Sequence, residues 1–243
     1  MSAKCMTRTT SGRRFRGAGA AIPSSPDAGA EVAESAVVYP GTVLGRGCQI
    51  GDCAVVGKRP TLSPRSTTKR EELPPAVVGD GAIISTGAIV FAGSRIGART
   101  IVGDQACVRE RVEIAEDVVI GRGVLIENDS VVGAFTKIQA NAYITNYSTL
   151  EEHVFIAPGV QTTNDNFMGR TERRHGLMKG PTIRRGARVG GGAVLCPAVE
   201  IGSEAFVGAG AVVIRDVPPR TVVVGNPARV IREVPEDELL ENQ

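Results

Sequence analysis

The chain has 243 residues, of which 42% are hydrophobic and 4% aromatic, with no tryptophan and a formal net charge of +2. So small a net charge argues against a nucleic-acid or acidic-membrane partner, and no stretch approaches the roughly 18 apolar residues of a membrane span. An interior built from Gly, Val, Ala and Ile rather than from aromatic residues favours a thin, repetitive β architecture.

The chain contains an odd number of cysteines and no CxxC spacing. Both features argue against a disulfide framework and against a zinc site. We therefore expect a protein of the reducing cytoplasm without a bound metal.

Residues 1–30 form the first segment. They include several arginines and a single acidic residue, Asp27, but lack the apolar run of a secretory signal. This composition predicts a flexible basic N-terminal tail, although it also resembles that of a targeting peptide.

A six-residue repeat dominates residues 31–214. Over residues 78–156 an aliphatic residue occupies every sixth position, fourteen times in succession. The same spacing occurs over residues 32–56 and 183–213, and a small or β-branched residue usually follows four positions after the aliphatic one. A period of six fits neither a helix nor a simple strand alternation, so it predicts an all-β solenoid in which each hexad forms one flat side of a coil.

Two gaps interrupt the repeat and predict loops outside the solenoid. The first, residues 57–77, is polar, basic and rich in proline. A loop of this length either contacts substrate or a second subunit, or is an ordinary solvated loop. The second, residues 157–182, contains the sequence TTNDNFMGRTERRH, which combines charges, amides and a histidine. A break of this kind is where a regular solenoid can carry chemistry.

The last segment, residues 215–243, contains the sequence RDVPPRTVVVGNPARVIREV. A solenoid needs a terminal segment that covers the open edge of its core, so these residues predict a C-terminal cap. Whether the cap is only a lid or also takes part in ligand binding is left open by its composition.

Together, the hexads and the closing sequence VGAGAVVIRDVPPRTVVVGNPARVIREV resemble those of hexapeptide-repeat acyltransferases that use acetyl-CoA. This resemblance implies a left-handed parallel β-helix with three hexads per triangular coil and a short C-terminal helical cap. Twenty-five hexads would then make about eight coils and a prism about 40 Å long. The resemblance also implies a homotrimer with active sites between neighbouring prisms.

In the galactoside and xenobiotic acetyltransferases of this family, a T-G-H-P turn in the second loop supplies a histidine as general base. The corresponding residues here are Thr163, Asn164, Asp165 and Asn166, so that histidine is missing. A sugar hydroxyl needs a base to remove its proton during attack, whereas an amine with a pKa of about 8 is partly neutral near pH 7. The turn therefore favours an amine acceptor over a hydroxyl acceptor.

The tetrapeptide TNDN is also similar to the turn of nucleotide-sugar N-acetyltransferases, which modify amino groups on UDP- or dTDP-linked deoxysugars. By this resemblance, Asn164 and Asp165 orient the acceptor amine, and Arg170 binds a phosphate or carboxylate of the acceptor. Asn146 and Asn166 are further candidates for acceptor binding. Because Asn and Asp favour Asx turns regardless of chemistry, a purely structural turn is the alternative interpretation.

The two histidines bear on two rival functions. His175 is a third catalytic candidate, as the base of a sugar O-acetyltransferase, whereas His153 lies in an intact hexad and is expected to face outward. The γ-class carbonic anhydrases share the fold but bind zinc through three histidines, and this chain has two. A metal site is therefore not expected.

In the acyltransferases that the chain resembles, acetyl-CoA is the acyl donor and lies in the groove between two prisms. Carried onto this sequence, the resemblance implies that Gly191, Ala209 and Ile214 lie against the cofactor. Arg215 and Arg232 would pair with its phosphates, and the N–H of Gly191 is a candidate oxyanion donor. Because tight corners require the same small residues, a non-catalytic β-solenoid scaffold is a further alternative. The favoured hypothesis is an acetyl-CoA-dependent N-acetyltransferase acting on a nucleotide-linked amino sugar.

Overall fold

The computed structural model describes residues 29–64, 66 and 70–243. The predicted basic tail, residues 1–30, lies outside the described residues except for its last two positions. Within the described part, the chain winds into a prism whose three flat sides are parallel β-sheets. The predicted all-β, left-handed parallel β-helix is confirmed.

Successive strands belong in turn to three sheets, which we call face 1, face 2 and face 3. Face 1 consists of β1 (Glu31–Val32), β4 (Gln49–Ile50), β7 (Ile83–Ile84), β10 (Ile101–Val102), β13 (Val119–Ile120), β16 (Lys137–Ile138), β19 (Phe155–Ile156), β22 (Arg188–Val189), β25 (Phe206–Val207), β27 (Thr221–Val224) and β28 (Arg229–Glu233). Face 2 consists of β2 (Val37–Val38), β5 (Val55–Lys58), β8 (Ile89–Phe91), β11 (Cys107–Val108), β14 (Leu125–Ile126), β17 (Tyr143–Ile144), β20 (Gln161–Thr162), β23 (Val194–Leu195) and β26 (Val212–Val213). Face 3 consists of β3 (Val43–Leu44), β6 (Val77–Val78), β9 (Arg95–Ile96), β12 (Glu113–Ile114), β15 (Val131–Val132), β18 (Thr149–Leu150), β21 (Thr182–Ile183) and β24 (Glu200–Ile201).

The core is a narrow column of aliphatic side chains inside the prism. The repeated aliphatic residues point inward, and Ile84, Ile126, Ile144 and Ile156 are fully buried. Ile126 pairs with Ile144 in the next coil, so equivalent positions of successive coils stack on one another. Shortening one of these isoleucines to alanine would cost about 2–5 kcal/mol, because close-packed coils collapse little around a cavity.

Over residues 81–159, each corner between two faces contains a residue in the left-handed conformation. From Gly81 to Gly159 a positive φ recurs at every sixth residue. Glycine adopts this conformation without steric cost, but the structure also places large residues there, including Phe135 (φ 59°) and His153 (φ 58°). These two rings stack at a centroid distance of 4.9 Å on the outside of the prism. His153 therefore faces outward, as expected.

Buried hydroxyl groups tie successive coils together at the corners. Thr136 Oγ1 donates to the carbonyl oxygen of Glu151 at 2.9 Å and accepts the N–H of Val154 at 3.2 Å. Thr100 makes an equivalent pair of hydrogen bonds to the next coil. The small residue four positions after the aliphatic one thus satisfies backbone groups that the strands leave unpaired.

Both insertions leave the prism at the same corner, between face 2 and face 3. The first follows β5, which extends into the predicted first loop as far as Lys58, and it returns at β6. The second begins after β20 and is therefore shorter than the predicted range of 157–182. Thr162 fills the inward position of the missing aliphatic residue, and its Oγ1 accepts the N–H of Thr145 at 2.7 Å. A polar residue with internal partners occupies the core here, so hydrophobic spacing alone misses this strand.

The C-terminal cap combines a β-hairpin with short helices. Within the described residues face 1 has ten parallel strands, more than the predicted eight or so coils, because β27 continues the ladder into the cap. Strand β28 then pairs antiparallel with β27. The helical part consists of the 3-10 helices Glu236–Glu238 and Leu240–Asn242. Leu239 is buried against Val222 and Val234, which fastens the cap to the hairpin.

Candidate functional site

Three asparagines form a column at the corner between face 2 and face 3. The ladder pairs β14 with β17 and β17 with β20, which places Asn128, Asn146 and Asn164 at equivalent positions of successive coils. We call these residues the asparagine column. It ends where the second loop leaves the prism, so the predicted residues Asn146 and Asn164 are neighbours; Asn128 was not predicted.

Asn146 and Asn164 are joined directly by a hydrogen bond, in which Nδ2 of Asn164 donates to Oδ1 of Asn146. The backbone carbonyl of Asn164 accepts the N–H of Lys179 at 3.0 Å, which ties the start of the loop to its return. Within the described residues, Oδ1 of Asn164 and Nδ2 of Asn146 make no hydrogen bond. The pair therefore presents one free acceptor and one free donor group.

Asp165 holds the second loop in shape. Its Oδ2 accepts the N–H of Gly169 at 2.9 Å, and its Oδ1 accepts the N–H of Phe167 at 2.8 Å. The hydrogen bonds from Gly169 and Phe167, with a smaller contribution from Arg174 at 3.5 Å, hold the pKa of Asp165 below its usual range. Both oxygens thus have donors in an Asx-type turn, and the role of this carboxylate in orienting the amine stays a prediction.

The other predicted loop residues lie on the outside of the loop. His175 belongs to the 3-10 helix Glu172–Gly176, and its Nε2 lies 3.4 Å from a carboxylate oxygen of Glu172. Asn166 and Arg170 are exposed. Within the described residues, none of these three side chains is hydrogen-bonded to the asparagine column. The structure thus does not bring His175 into contact with Asn164.

The residues predicted to bind CoA fall at two different corners. Gly191 and Ala209 occupy equivalent positions of successive coils at the corner between face 1 and face 2. Ile214 and Arg215 follow β26 at the corner of the asparagine column. One hexad separates the two corners, which is at most about 20 Å of chain. Arg232 lies in β28, beyond the last coil. A single prism therefore does not bring these five residues to one edge.

A charged cluster on the same edge was not predicted. Arg109 donates through Nε and Nη2 to the carboxylate of Glu110 at 2.9 and 3.1 Å, and its Nη1 lies 3.4 Å from Glu127. The Glu110 side chain is 0% exposed, a burial that a carboxylate tolerates when it is paired. Arg109 Cζ lies 5.0 Å and Lys58 Nζ lies 5.6 Å from the ring centroid of Phe91. We call these five residues the Phe91 cluster.

A sequence signal for the cluster existed in the hexads of face 2. Elsewhere glycine often follows the inward aliphatic residue, whereas Phe91, Arg109 and Glu127 occupy that position in three successive coils of this face. The side chain at this position points outward, because the aliphatic residue before it points inward. Large residues at this position in three successive coils therefore indicated a cluster of side chains on the outer surface. They did not indicate that Arg109 pairs with Glu110.

Other kinds of site were sought in the same part of the chain. Among residues 29–64, 66 and 70–243, no group of three or more His, Cys, Asp or Glu side chains is arranged to hold a metal ion. In these ranges no helix has the length and apolar character needed to cross a membrane. Burial raises the pKa of the Cys107 thiol beside the Phe91 cluster, so at neutral pH it is a thiol rather than a nucleophilic thiolate.

Curated relatives of the chain include acetyltransferases, although no protein-family model matches it. Over 67 residues the chain is 39% identical to a serine acetyltransferase of Buchnera aphidicola subsp. Acyrthosiphon pisum, an alignment covering 28% of this chain and 24% of that protein. The serine acetyltransferase of Buchnera aphidicola subsp. Schizaphis graminum is 36% identical over 67 residues, covering 28% and 26%. The chain thus spans about a quarter of the length of these relatives.

Solved structures that align with most of the prism include a UDP-N-acetylglucosamine acyltransferase, which matches with a TM-score of 0.66 and 16% identity over 84% of this chain and 74% of that chain. At this level of identity, the match shows a shared fold.

Proposed function

We propose that the chain is an acyltransferase of the hexapeptide-repeat type and that it transfers an acetyl group from acetyl-CoA to the amino group of a UDP- or dTDP-linked amino deoxysugar. The observation that carries the proposal is the hydrogen-bonded pair of Asn146 and Asn164 at the start of the second loop. The pair offers neutral amide groups where a hydroxyl acceptor would require a base. An amine acceptor therefore suits this corner better than a hydroxyl.

In the proposed reaction the amine attacks as the neutral species. Oδ1 of Asn164 accepts a hydrogen bond from it and directs its lone pair at the thioester carbonyl. The C–N bond forms, the carbonyl oxygen becomes an oxyanion, and collapse of the tetrahedral intermediate breaks the C–S bond. The nitrogen loses one proton and the departing thiolate gains one, so the products are an amide and free CoA. Asp165 contributes by shaping the turn that positions Asn164.

The cofactor groove in this proposal lies between two copies of the chain in a homotrimer. This arrangement is supported by the positions of the predicted CoA-binding residues, because Gly191 and Ala209 lie at one corner of the prism and Ile214 and Arg215 lie at another. A groove made by one corner of a prism and the other corner of its neighbour contains both sets. Arg215 and Arg232 are exposed cations suited to phosphates. The N–H of Gly191, which makes no hydrogen bond within the described residues, is the candidate oxyanion donor.

Thiol release from acetyl-CoA tests the proposal, with panels of free amino sugars, nucleotide-linked amino sugars and plain sugars as acceptors. We expect turnover with the amino sugars. Asn164→Ala should lower kcat/KM about 10- to 100-fold, the loss expected when a reacting group loses one strong hydrogen bond. Asn242→Ala, which removes a carboxamide hydrogen bond to Glu236 in the cap, is the matched control and should keep full activity.

Three results would contradict parts of the proposal. Turnover with hydroxyl acceptors alone, together with loss of activity in His175→Ala, would indicate a sugar O-acetyltransferase. Neither turnover nor CoA binding with any panel would indicate a non-catalytic scaffold. A fully active monomer in size-exclusion chromatography would refute the shared groove.

A further inference from the structure

One of the two cations of the Phe91 cluster is not paired directly with a carboxylate within the described residues. Arg109 is paired with Glu110 and Glu127. Lys58 has no carboxylate partner within the described residues, and its half-buried side chain lies against the same aromatic ring as Arg109. The ammonium group of Lys58 can therefore pair with an anion bound beside the ring, and the N–H groups of Arg109 that its carboxylate partners leave free can donate to the same anion.

The cluster lies on the same edge of the prism as the asparagine column. Phe91 ends β8, and the ladder continues through β11 and β14 to β17, whose coil carries Asn146. Three coil spacings place Phe91 about 14 Å from Asn146 along the prism. The first loop borders this edge at the Phe91 end, because the carbonyl of Pro74 accepts the N–H of Gly93 at 2.7 Å. The edge between the two loops is thus a continuous outer surface of the prism.

Polarity changes along this edge. Beside the second loop, the asparagine column offers amide groups, and Glu127 lies one coil away from the coil of Asn146. At the other end, Lys58 supplies an ammonium group that is paired with no carboxylate of the described chain. An acceptor with an amine at one end and phosphates at the other has the same polarity, and complementary charge fixes the direction in which a ligand binds.

We propose that Lys58 and Arg109 bind the diphosphate of a nucleoside-diphosphate-linked acceptor, which lies along face 2 with its amine at the asparagine column. The inference rests on the proposed function, because the position of the amine is taken from it. The ammonium group of Lys58 has three donors. Arg109 has N–H groups left after its three hydrogen bonds within the cluster, and the buried Glu110 fixes its orientation. Lys58 is thus a specificity determinant for nucleotide-linked over free amino sugars.

Binding of UDP and dTDP to the full chain, measured by isothermal titration calorimetry, tests this diphosphate site. Lys58→Met keeps most of the side-chain length but removes the charge, so we expect UDP to bind about tenfold more weakly or worse. Lys137→Met removes an exposed lysine from β16 on face 1 and is the matched control, with no expected change. Raising the ionic strength should weaken UDP binding to the wild type more than to Lys58→Met.

Steady-state kinetics provides a second measurement. Lys58→Met should raise KM for a nucleotide-linked amino sugar about tenfold while leaving kcat unchanged, because the lost contact is equal in the ground state and the transition state. The kinetic constants for a free amino sugar should not change, since that acceptor has no phosphates.

The outcomes separate this inference from the proposed function. UDP binding to Lys58→Met as tight as to the wild type would overturn the inference. No UDP binding to the wild type would also overturn it, and turnover of nucleotide-linked amino sugars would then leave the proposed function standing. Lys58-dependent UDP binding without acetyl transfer to any amino sugar would support the diphosphate site and refute the proposed function.

Discussion

Replacing Thr162 with valine tests how the second loop is anchored to the prism. Thr162 is 1% exposed, and its hydroxyl accepts the N–H of Thr145 at 2.7 Å and donates to the carbonyl of Tyr143 at 3.1 Å. Valine has nearly the same volume but no hydroxyl. The substitution therefore leaves a buried N–H group without its partner.

The expected loss of stability follows from this single unpaired donor. A buried donor without an acceptor costs about 1–3 kcal/mol. For a chain of this size each kcal/mol shifts Tm by about 2–4 °C, so Thr162→Val should lower Tm by about 2–12 °C. Since Asn164 follows two residues later, the misplaced amide should also lower kcat/KM about tenfold or more.

Circular dichroism melting and the thiol-release assay measure the two effects. Thr136→Val is the control, because it removes an equivalent pair of hydrogen bonds at the corner between face 3 and face 1. It should lower Tm by a similar amount without changing activity. An unchanged Tm for Thr162→Val would show that the N–H of Thr145 finds another acceptor, and the anchoring role would then be wrong. Equal loss of activity in both variants would refute a specific link to the asparagine column.

Three further predictions concern the coils and the second loop. Gly97→Ala should destabilise the protein by about 1–3 kcal/mol or more in chemical denaturation, because its Cβ would lie 2.3 Å from the backbone of Ala115; Gly176→Ala, whose Cβ meets no atom within 4 Å, is the control and should change little. The pKa of Asp165 is lower in the folded protein than in the unfolded chain, where it is about 3.9. The ionised carboxylate therefore stabilises the loop fully above a pH of about 3.9, and this stabilisation is lost as the pH falls through the lower folded-state pKa. The protection factors of the two loop N–H groups that it holds, taken relative to the intrinsic exchange rate at each pH, should therefore fall in acid. Asp165→Asn should remove this pH dependence of protection, and its persistence in the variant would contradict the assignment. His175→Ala should keep near wild-type turnover of amino sugars. Loss of that turnover in the variant would indicate that His175 acts as the general base.

Much of the fold was predictable because one rule governs the core at every sixth position. Aliphatic residues there, such as Ile126 and Ile144, are removed from water when they stack on the equivalent residues of neighbouring coils. The rule fails where a polar residue satisfies its own hydrogen bonds inside the core, as Thr162 does. It also fails at the C-terminal end, where β27 continues the ladder without a matching hexad.

The candidate site was predictable only in part. Asn164 was singled out by the turn that it resembles and Asn146 was a further candidate for acceptor binding, and the structure joins them by a hydrogen bond. The hydrogen bonds that the N–H groups of Phe167 and Gly169 donate to Asp165 depend on a backbone conformation that spacing does not encode. The pairing of Arg109 with the buried Glu110 depends on side-chain orientation in three dimensions, so residue order alone could not reveal it.

The left-handed corners provide evenly spaced positions on the outside of the prism that accept different side chains. Because the coil itself imposes the positive φ, side chains as different as Phe135, Tyr147 and His153 occupy equivalent positions. Along each edge these outward positions therefore recur about every 4.8 Å, and the side chain at one position can be substituted while the interior repeat stays intact. Such an edge can acquire a new recognition pattern by single substitutions, without any change to the solenoid that supports it.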